Sequence, residues 1–268
     1  LPNMPACHIA IAHDARGPNN TFTLGDVSSL LALHEATRCI QRGQADVMIV
    51  GGTGSRLNPT TIVFSGTDDR SQRVECPAGA CRPFDAGRDG VVIGEGSGAF
   101  VVEDRDHAAA RGARALARVL GFGISFEPAT RGQWSTGHAI RNSIELSLRE
   151  AHVSPEAVGH VNANGKSAVI EDAVEAQAIR RVLGDVPVTA PKSYFGSLGA
   201  GTGAVEMAAT LIAFEHRAVP ATLNFETPDP ACPVNVVHGQ ALPAAGQLAV
   251  VLNQSSTGQA AAVVLAAS

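Results

Sequence analysis

An excess of basic charge and a long apolar run are both missing from this chain of 268 residues. The formal net charge is -5 at pH 7, so the composition does not point to nucleic acid. The longest apolar run, residues 260–267, is far too short to cross a bilayer. The N-terminal stretch LPNMPACHIAIAHDARGPNN has no basic region followed by an apolar core, so we predict no signal peptide. These absences favour a cytoplasmic protein without nucleic-acid or membrane partners.

Cysteine is also scarce, with five residues in an odd, scattered set. Such a set in a chain of this size fits a reducing cytoplasm and does not suggest a disulfide framework. Cys76 and Cys81 flank the tetrapeptide PAGA, but no second cysteine pair or histidine cluster accompanies them. We therefore predict neither a metal site nor a cofactor. The cysteines are Cys7, Cys39, Cys76, Cys81 and Cys232.

The residues that are present favour an α/β protein. Hydrophobic residues make up 45% of the chain, which is enough for one large core or two coupled cores. Helical and strand patterns alternate, as is typical of α/β folds with mostly parallel or mixed sheets. A strand, a helix, a strand and a closing strand occur both before and after about residue 112. We therefore predict two related halves, residues 1–112 and 113–268, of which the first is incomplete.

The first half begins with a predicted buried strand over residues 21–24 and a helix over residues 27–42. A second strand over residues 45–50 is closed by two glycines, and the strand, helix, strand order indicates a parallel pair. Further helices are predicted over residues 132–151, 171–183 and 203–214, and further strands over residues 116–124, 160–164, 186–190, 248–253 and 260–266.

The stretch TFTLGDVSSLL, residues 21–31, reads as a strand that breaks sharply into a helix with Asp26 at the corner. A helix N-terminus offers free backbone N–H groups and a positive dipole end, where enzymes place nucleophiles. Aspartate is also one of the most favourable helix caps. The corner therefore leaves two interpretations of Asp26: a residue at a functional position, or a helix cap only.

Three glycines at positions 94, 96 and 98 superficially suggest a phosphate-binding loop. A phosphate loop should lead into a helix, but here an apolar strand segment over residues 99–102 follows, and residues 91–93 form another strand segment before the glycines. We therefore interpret these glycines as positions of close backbone approach around a bend.

Several longer motifs occur in a family-like order: RPFDAGRDGVVIGEGSG, VNANGKSAVIEDAVEAQAI, PKSYFGSLGAGTGAVE and VPATLNFETPD. With them the chain resembles the β-ketoacyl-acyl-carrier-protein synthases from about residue 3 to its end. The resemblance implies a thiolase-like α/β fold, layered α/β/α/β/α with mixed sheets. Family members have a further N-terminal segment, and this sequence does not begin with methionine. We therefore expect it to be a piece of a longer protein.

The family's chemistry requires a cysteine that accepts the acyl group and two histidines that promote decarboxylation and stabilise the oxyanion. On the matching motifs, the resemblance places Asp26 at the position of the cysteine. It places Asn164 and Ser197 at the positions of the histidines. None of the three residues can replace the original group, so we predict that condensing activity is absent and leave any other enzymatic activity open.

The resemblance also assigns residues around these positions. Lys192 and Glu206 match a buried polar network of the family, and Asp172 and Glu175 match acidic residues of the adjoining helix; all four are expected to hold loops together. The family's phenylalanine-containing gating loop is altered, and the family places the strand at residues 21–24 at a dimer interface. The altered loop is Asn253, Gln254, Ser255, Ser256, Thr257 and Gly258, and the strand is Thr21, Phe22, Thr23 and Leu24.

A non-catalytic ketosynthase-like subunit is the function that these features favour. It would belong to a fatty-acid or polyketide synthase, pair with an active ketosynthase and shape the acyl tunnel. An acyl carrier protein is a further candidate partner. The segment VPVTAPK, residues 186–192, resembles chain-length factors, although these generally carry Gln where this chain has Asp26. Two alternatives stay open: an acyl-thioester-processing acyltransferase or hydrolase with altered residues, and a structural homodimer.

Overall fold

The computed structural model describes residues 1–65, 69–128, 135–243 and 246–268. The first part of the chain contains four helices and two long strands within these ranges. They are α1 (Met4–Ala12), α2 (Ser28–Gln41), β1 (Val47–Ser55), α3 (Pro59–Ser65), β2 (Glu95–Glu103) and α4 (Arg105–Ala110).

The second part begins at strand β3 and alternates strands with helices. Its elements are β3 (Ala117–Phe126), α5 (His138–Ala151), β4 (His160–Asn162), α6 (Val169–Leu183), β5 (Pro187–Thr189), α7 (Lys192–Phe195), α8 (Thr202–His216), β6 (Ala218–Val219), β7 (Asn235–Val236), β8 (Leu242–Pro243), β9 (Leu248–Gln254) and β10 (Gln259–Ala267). The predicted start of α5 at residues 132–134 lies outside the described ranges.

The main sheet has six strands in the order β3-β10-β9-β4-β5-β7. Strand β10 pairs antiparallel with both β3 and β9, whereas β9, β4, β5 and β7 run parallel. Strands β1 and β2 form a separate antiparallel pair. The sheets are therefore mixed, and the predicted α/β class is confirmed.

Two apolar cores cover the two faces of the main sheet. On one face, helices α5 and α6 pack against β4, β5 and alternate residues of β9 and β10. On the other face, α2 and α8 pack against the remaining residues of the same two strands, and β1 adds Val50 to this second core. Alternate residues of β9 and β10 face opposite sides, so both strands are buried throughout. The layers follow the predicted alternation of helices and sheets.

The buried face of α5 follows its amphipathic pattern. Ile140, Ile144 and Leu148 are all in the first core, and their spacing of four residues puts them on one side of the helix. The predicted division between residues 112 and 113 falls in the link between α4 and β3 and stays a prediction.

Two predictions for the first half are wrong. Residues 21–24 do not form a strand: they are mostly exposed and end in a bend at Leu24, because no described strand lies beside them to complete a hydrogen-bonded ladder. Strand β1 does not belong to a parallel pair, since its described partner is the antiparallel β2. It also continues through Gly51 and Gly52 to Ser55.

The glycines of this pair permit close packing, as the sequence indicated. A Cβ on Gly98 would lie 3.1 Å from the Cβ of Ala204 on α8, and a Cβ on Gly54 would lie 2.0 Å from the carbonyl oxygen of Leu198. The predicted bend is absent, because Gly96 and Gly98 lie inside the continuous strand β2. Residues 91 and 93 form only isolated bridges.

A Gly123→Ala substitution tests the same kind of close backbone packing at another glycine. Gly123 lies on β3 against α5, where a Cβ would be 1.8 Å from the backbone oxygen of Ser143. We expect a loss of about 1–3 kcal/mol in the free energy of unfolding, because helix and sheet must separate to accept the methyl group. Urea denaturation measures the effect. Gly17→Ala is the matched control, since no atom lies within 4 Å of its added Cβ; equal stability of the two variants would contradict the prediction.

Candidate functional site

Asp26 lies in the short 3-10 turn Gly25–Val27 that leads into α2. Gly25 has a φ of +62°, a left-handed conformation that glycine adopts at little cost, so the chain turns sharply here. The interpretation of Asp26 as the helix cap is wrong: Val27 occupies the N-cap position, and no side chain makes a capping hydrogen bond. The hydroxyl of Ser28 donates to the backbone carbonyl of the turn instead.

The Asp26 carboxylate points to the start of α8 and is only 8% exposed. The hydroxyl of Thr202, the first residue of α8, donates to it at 3.2 Å. The hydroxyl of Ser197 lies farther away, at 3.4 and 3.5 Å from the two carboxylate oxygens. The structure thus brings Asp26 and Ser197 together across 171 positions of sequence and adds Thr202, which sequence reasoning missed.

Arg56 is a second missed residue, and it directly follows strand β1. Its Nη1 donates to the Ser197 hydroxyl oxygen at 2.9 Å. The Ser197 side chain is therefore held between a guanidinium and a carboxylate, and it is 1% exposed. A basic residue directly after an apolar, glycine-rich strand was the available sequence signal.

Asn164 is held by the buried ion pair of Lys192 and Glu206. Lys192 Nζ lies 2.6 Å from Glu206 Oε1, and both side chains are 0% exposed. The same Nζ donates to the backbone oxygen of Asn164 at 2.6 Å and to its Oδ1 at 3.0 Å. The Asn164 amide is therefore fixed, with Nδ2 buried and without a hydrogen-bond partner among the described residues.

Burial raises the pKa of Glu206 to about 7, although Lys192 and the amide of Asn253 both act in the opposite direction. Asn253 Nδ2 donates to the second carboxylate oxygen of Glu206. The pair thus connects the ends of β4 and β9 with α7 and α8. Lys192 and Glu206 thus form a buried ion pair, and their role as a supporting network stays a prediction.

Asp172 and Glu175 do not touch this pair, but hold the loop that follows β4. Glu175 accepts from the backbone N–H of Asn164 at 2.7 Å and of Gly165 at 2.9 Å. Asp172 accepts from the next backbone N–H groups, including that of Lys166 at 3.1 Å. Burial raises the pKa of both carboxyls, that of Glu175 to about 8. The two carboxyl groups thus accept hydrogen bonds from backbone N–H groups of this loop, in place of backbone carbonyl acceptors.

Lys166 is a third residue that sequence reasoning missed. Its Nζ lies 2.9 Å from the Glu171 carboxylate, and its side chain is 8% exposed. Burial lowers the pKa of Lys166, but the charges of Glu171, Asp26 and Asp172 outweigh this effect and raise it overall. Lys166 is therefore a buried cation whose charge acts on Asp26.

The altered loop, residues 253–258, packs on the Asp26 corner. A Cβ on Gly25 would lie 3.7 Å from the Cβ of Ser255. The Ser255 hydroxyl bonds to Thr257 at 2.8 Å and to Gln259 at 2.6 Å, so the loop closes on itself. It brings hydroxyl and amide groups to the corner.

A thiol does lie close to this network, but it is not reactive. Cys81 Sγ donates to the backbone oxygen of Lys192 at 3.1 Å. Burial raises the pKa of this thiol to about 12, so it stays protonated and non-nucleophilic near neutral pH. Cys81 is therefore not a candidate nucleophile.

One cavity of the structure lies away from these residues. A cavity of about 730 Å³ lies between β2, the end of α8 and residues 114–116, with Phe100 and Ile212 among its lining. Asp26, Asn164 and Ser197 do not line it. The candidate site is therefore identified by the functional groups of its residues and not by the volume of a cavity.

The described ranges contain neither a metal-site cluster nor a membrane-spanning helix. Over residues 1–65, 69–128, 135–243 and 246–268, no three His, Cys, Asp or Glu side chains come together as a metal site would require. Within those same ranges, every helix is too short or too polar to cross a membrane.

Comparison with known families and proteins identifies the fold. The family described as "Beta-ketoacyl synthase, N-terminal domain" matches residues 1–108, and "Beta-ketoacyl synthase, C-terminal domain" matches residues 116–226. The 3-oxoacyl-[acyl-carrier-protein] synthase 2 of Synechocystis sp. is 35% identical over 251 residues, which are 90% of this chain and 59% of that protein. The tetracenomycin polyketide synthase ketoacyl synthase alpha subunit of Streptomyces glaucescens is 37% identical, over 88% of this chain and 57% of its own. The chain thus spans less than two thirds of these relatives.

Solved structures agree with this assignment. A β-ketoacyl synthase from Burkholderia phymatum matches with a TM-score of 0.94 and 30% identity, over 100% of this chain and 66% of the other. A type II polyketide synthase acyl-carrier protein in complex with its ketosynthase matches with a TM-score of 0.94 and 30% identity, over 99% and 67%. The ishigamide ketosynthase/chain length factor matches at 0.91 and 27%, over 100% and 66%. The chain therefore belongs to the β-ketoacyl synthase family and has its thiolase-like fold.

Proposed function

We propose that this chain is part of a ketosynthase-like subunit that does not itself condense acyl groups and that pairs with an active ketosynthase of a fatty-acid or polyketide synthase. One observation supports the proposal: Asp26, Ser197 and Asn164, which the motifs match to the reactive positions, are each held by hydrogen bonds, and Asp26 contacts Ser197. On this match, the reactive positions contain a carboxylate, a hydroxyl and an amide.

The chemistry of these groups argues against condensation. A carboxylate accepts an acyl group from a thioester poorly, and the mixed anhydride would hydrolyse. A malonyl carboxylate near Asp26 would be repelled by roughly 4 kcal/mol at about 4 Å, for an effective dielectric constant near 20. An amide and a hydroxyl do not act as acids or bases near neutral pH.

The pairing is supported by relatives and by one exposed segment. One structural relative is a ketosynthase in complex with an acyl-carrier protein, and another is a ketosynthase/chain length factor. Residues 21–24 have no regular secondary structure, and Leu24 is 39% exposed. An exposed segment with an apolar side chain and no described strand partner suits edge-to-edge pairing with a partner, or with a second copy in a homodimer. The expected strand would then form only in the dimer.

A single observation favours the alternative, an acyl-thioester-processing enzyme. The Asp26 carboxylate faces the Ser197 hydroxyl, which is the arrangement of a general base beside a hydroxyl group. The 3.4 Å separation is long, however, and the Ser197 oxygen also accepts a hydrogen bond from Arg56. Acceptance from a guanidinium withdraws electron density from that oxygen, so it is a poor nucleophile.

Co-purification tests the pairing. We expect the full-length protein to co-purify with a ketosynthase encoded beside it. Leu24→Asp should weaken the complex at least about tenfold, because it places a charge in the predicted interface. Val74→Asp is the matched control, since Val74 is 77% exposed and far from this segment in sequence. Equal affinities of the two variants would contradict the predicted interface, and a stable monomer that ignores the ketosynthase would contradict the pairing.

Mass spectrometry and a hydrolysis assay test the loss of chemistry. After incubation with acyl-loaded and malonyl-loaded carrier protein, we expect no acyl adduct on the chain and no condensation product. Thioester hydrolysis should be the same for the wild type and Asp26→Asn, because Asp26 has no catalytic task. Turnover by the wild type that disappears in Asp26→Asn would favour the alternative enzyme.

A double-mutant cycle tests whether the buried pair supports the fold. Removing one partner in Lys192→Met leaves an uncompensated buried charge, and we expect a loss of about 3–5 kcal/mol of stability. The double variant Lys192→Met/Glu206→Leu should be clearly more stable than the single variant, because no charge is left unpaired. Arg180→Met, at a half-exposed pair, is the control. Additive effects in urea denaturation would show that the two side chains do not act as a pair.

A further inference from the structure

Arg56 reaches the Asp26 corner along a defined path. Its backbone N–H donates to the carbonyl of Gly94 at 3.0 Å, which fixes the end of β1. Its Cγ lies 3.6 Å from the position of a Cβ on Gly199, so the side chain runs along the 3-10 turn Gly199–Gly201. It ends at the Ser197 hydroxyl, 2.9 Å from Nη1. The backbone of Arg56 and its guanidinium group are therefore both positioned by the fold.

Two of this chain's own cations act on the corner around Asp26. Arg56 acts on the Asp26 carboxylate through Ser197, and the charge of Lys166 acts on it as well. Hydroxyl groups occupy the direct contacts of the carboxylate. An apolar chain that entered here would displace the guanidinium and leave a buried carboxylate short of a counter-ion, which is strongly unfavourable.

We propose that Arg56 closes the corner to acyl chains: it is a specificity-determining residue that occupies the space beside Asp26 and excludes apolar acyl thioesters. The inference rests on the proposed function in one respect, since it takes this corner to be the former acyl site. It adds that the site is closed as well as chemically inactive, and that a single side chain closes it.

Isothermal titration calorimetry of the purified full-length protein, without any partner, tests the inference with octanoyl-N-acetylcysteamine thioester as the probe. We expect no saturable binding to the wild type and at least about tenfold tighter binding to Arg56→Ala. Arg16→Ala is the matched control, because Arg16 pairs only with its exposed neighbour Asp14. It should behave as the wild type does.

A second variant is used in case the Arg56→Ala protein does not fold because the buried Asp26 carboxylate lacks nearby positive charge. Asp26→Asn/Arg56→Gln removes both charges together, so it should stay folded by circular dichroism and bind the octanoyl probe. Octanoyl binding to the wild type as tight as to the variants would overturn the inference, as would failure of every folded variant to bind. Binding of a glutaryl thioester to the wild type that is lost in Arg56→Ala would also overturn it, since Arg56 would then be a carboxylate receptor. Failure to pair with a ketosynthase would affect only the proposed function.

Discussion

The ion pair of Lys192 and Glu206 is the interaction on which the site depends. Both side chains are fully buried, and their hydrogen bonds reach Asn164 at the end of β4 and Asn253 near the end of β9. A buried pair of this kind contributes little net stability, because desolvation offsets the attraction. Loss of one partner is costly, however, so the pair fixes the relative positions of two helices and two strands. The candidate site is built on this fixed frame.

Charge balance explains why the frame tolerates a carboxylate at the corner. A buried carboxylate requires hydrogen bonds and nearby positive charge. Thr202 and Ser197 supply the first, and Arg56 and Lys166 supply the second. Arg56 and Lys166 come from separate parts of the chain, after β1 and after β4. The Asp26 carboxylate therefore has hydrogen-bond donors in direct contact and positive charge from two separate parts of the chain.

Sequence patterns predicted those features that depend on periodicity or on long motifs. The buried face of α5 and the alternation of layers follow from local patterns of apolar residues. The expected strand at residues 21–24 failed because a strand requires a neighbour, which a local pattern cannot supply. Arg56 was missed for a related reason: its partner Ser197 is 141 positions away. The N-cap interpretation of Asp26 failed because the chain first makes a 3-10 turn, which moves the cap to Val27.

The supporting residues and the reactive positions are under different physical constraints. This difference explains why, on the proposed function, the supporting residues are retained and the reactive residues are replaced. Glu206 and Lys192 are both fully enclosed, so a change in either leaves a buried charge that the fold cannot hydrate. Asp172 and Glu175 supply partners for backbone N–H groups that have no alternative. A reactive position must instead offer a free group to a ligand, and a free group can be replaced once a neighbour provides a new partner. On the proposed function, Ser197, held by Arg56, is such a replacement, and the buried frame is retained without the family's chemistry.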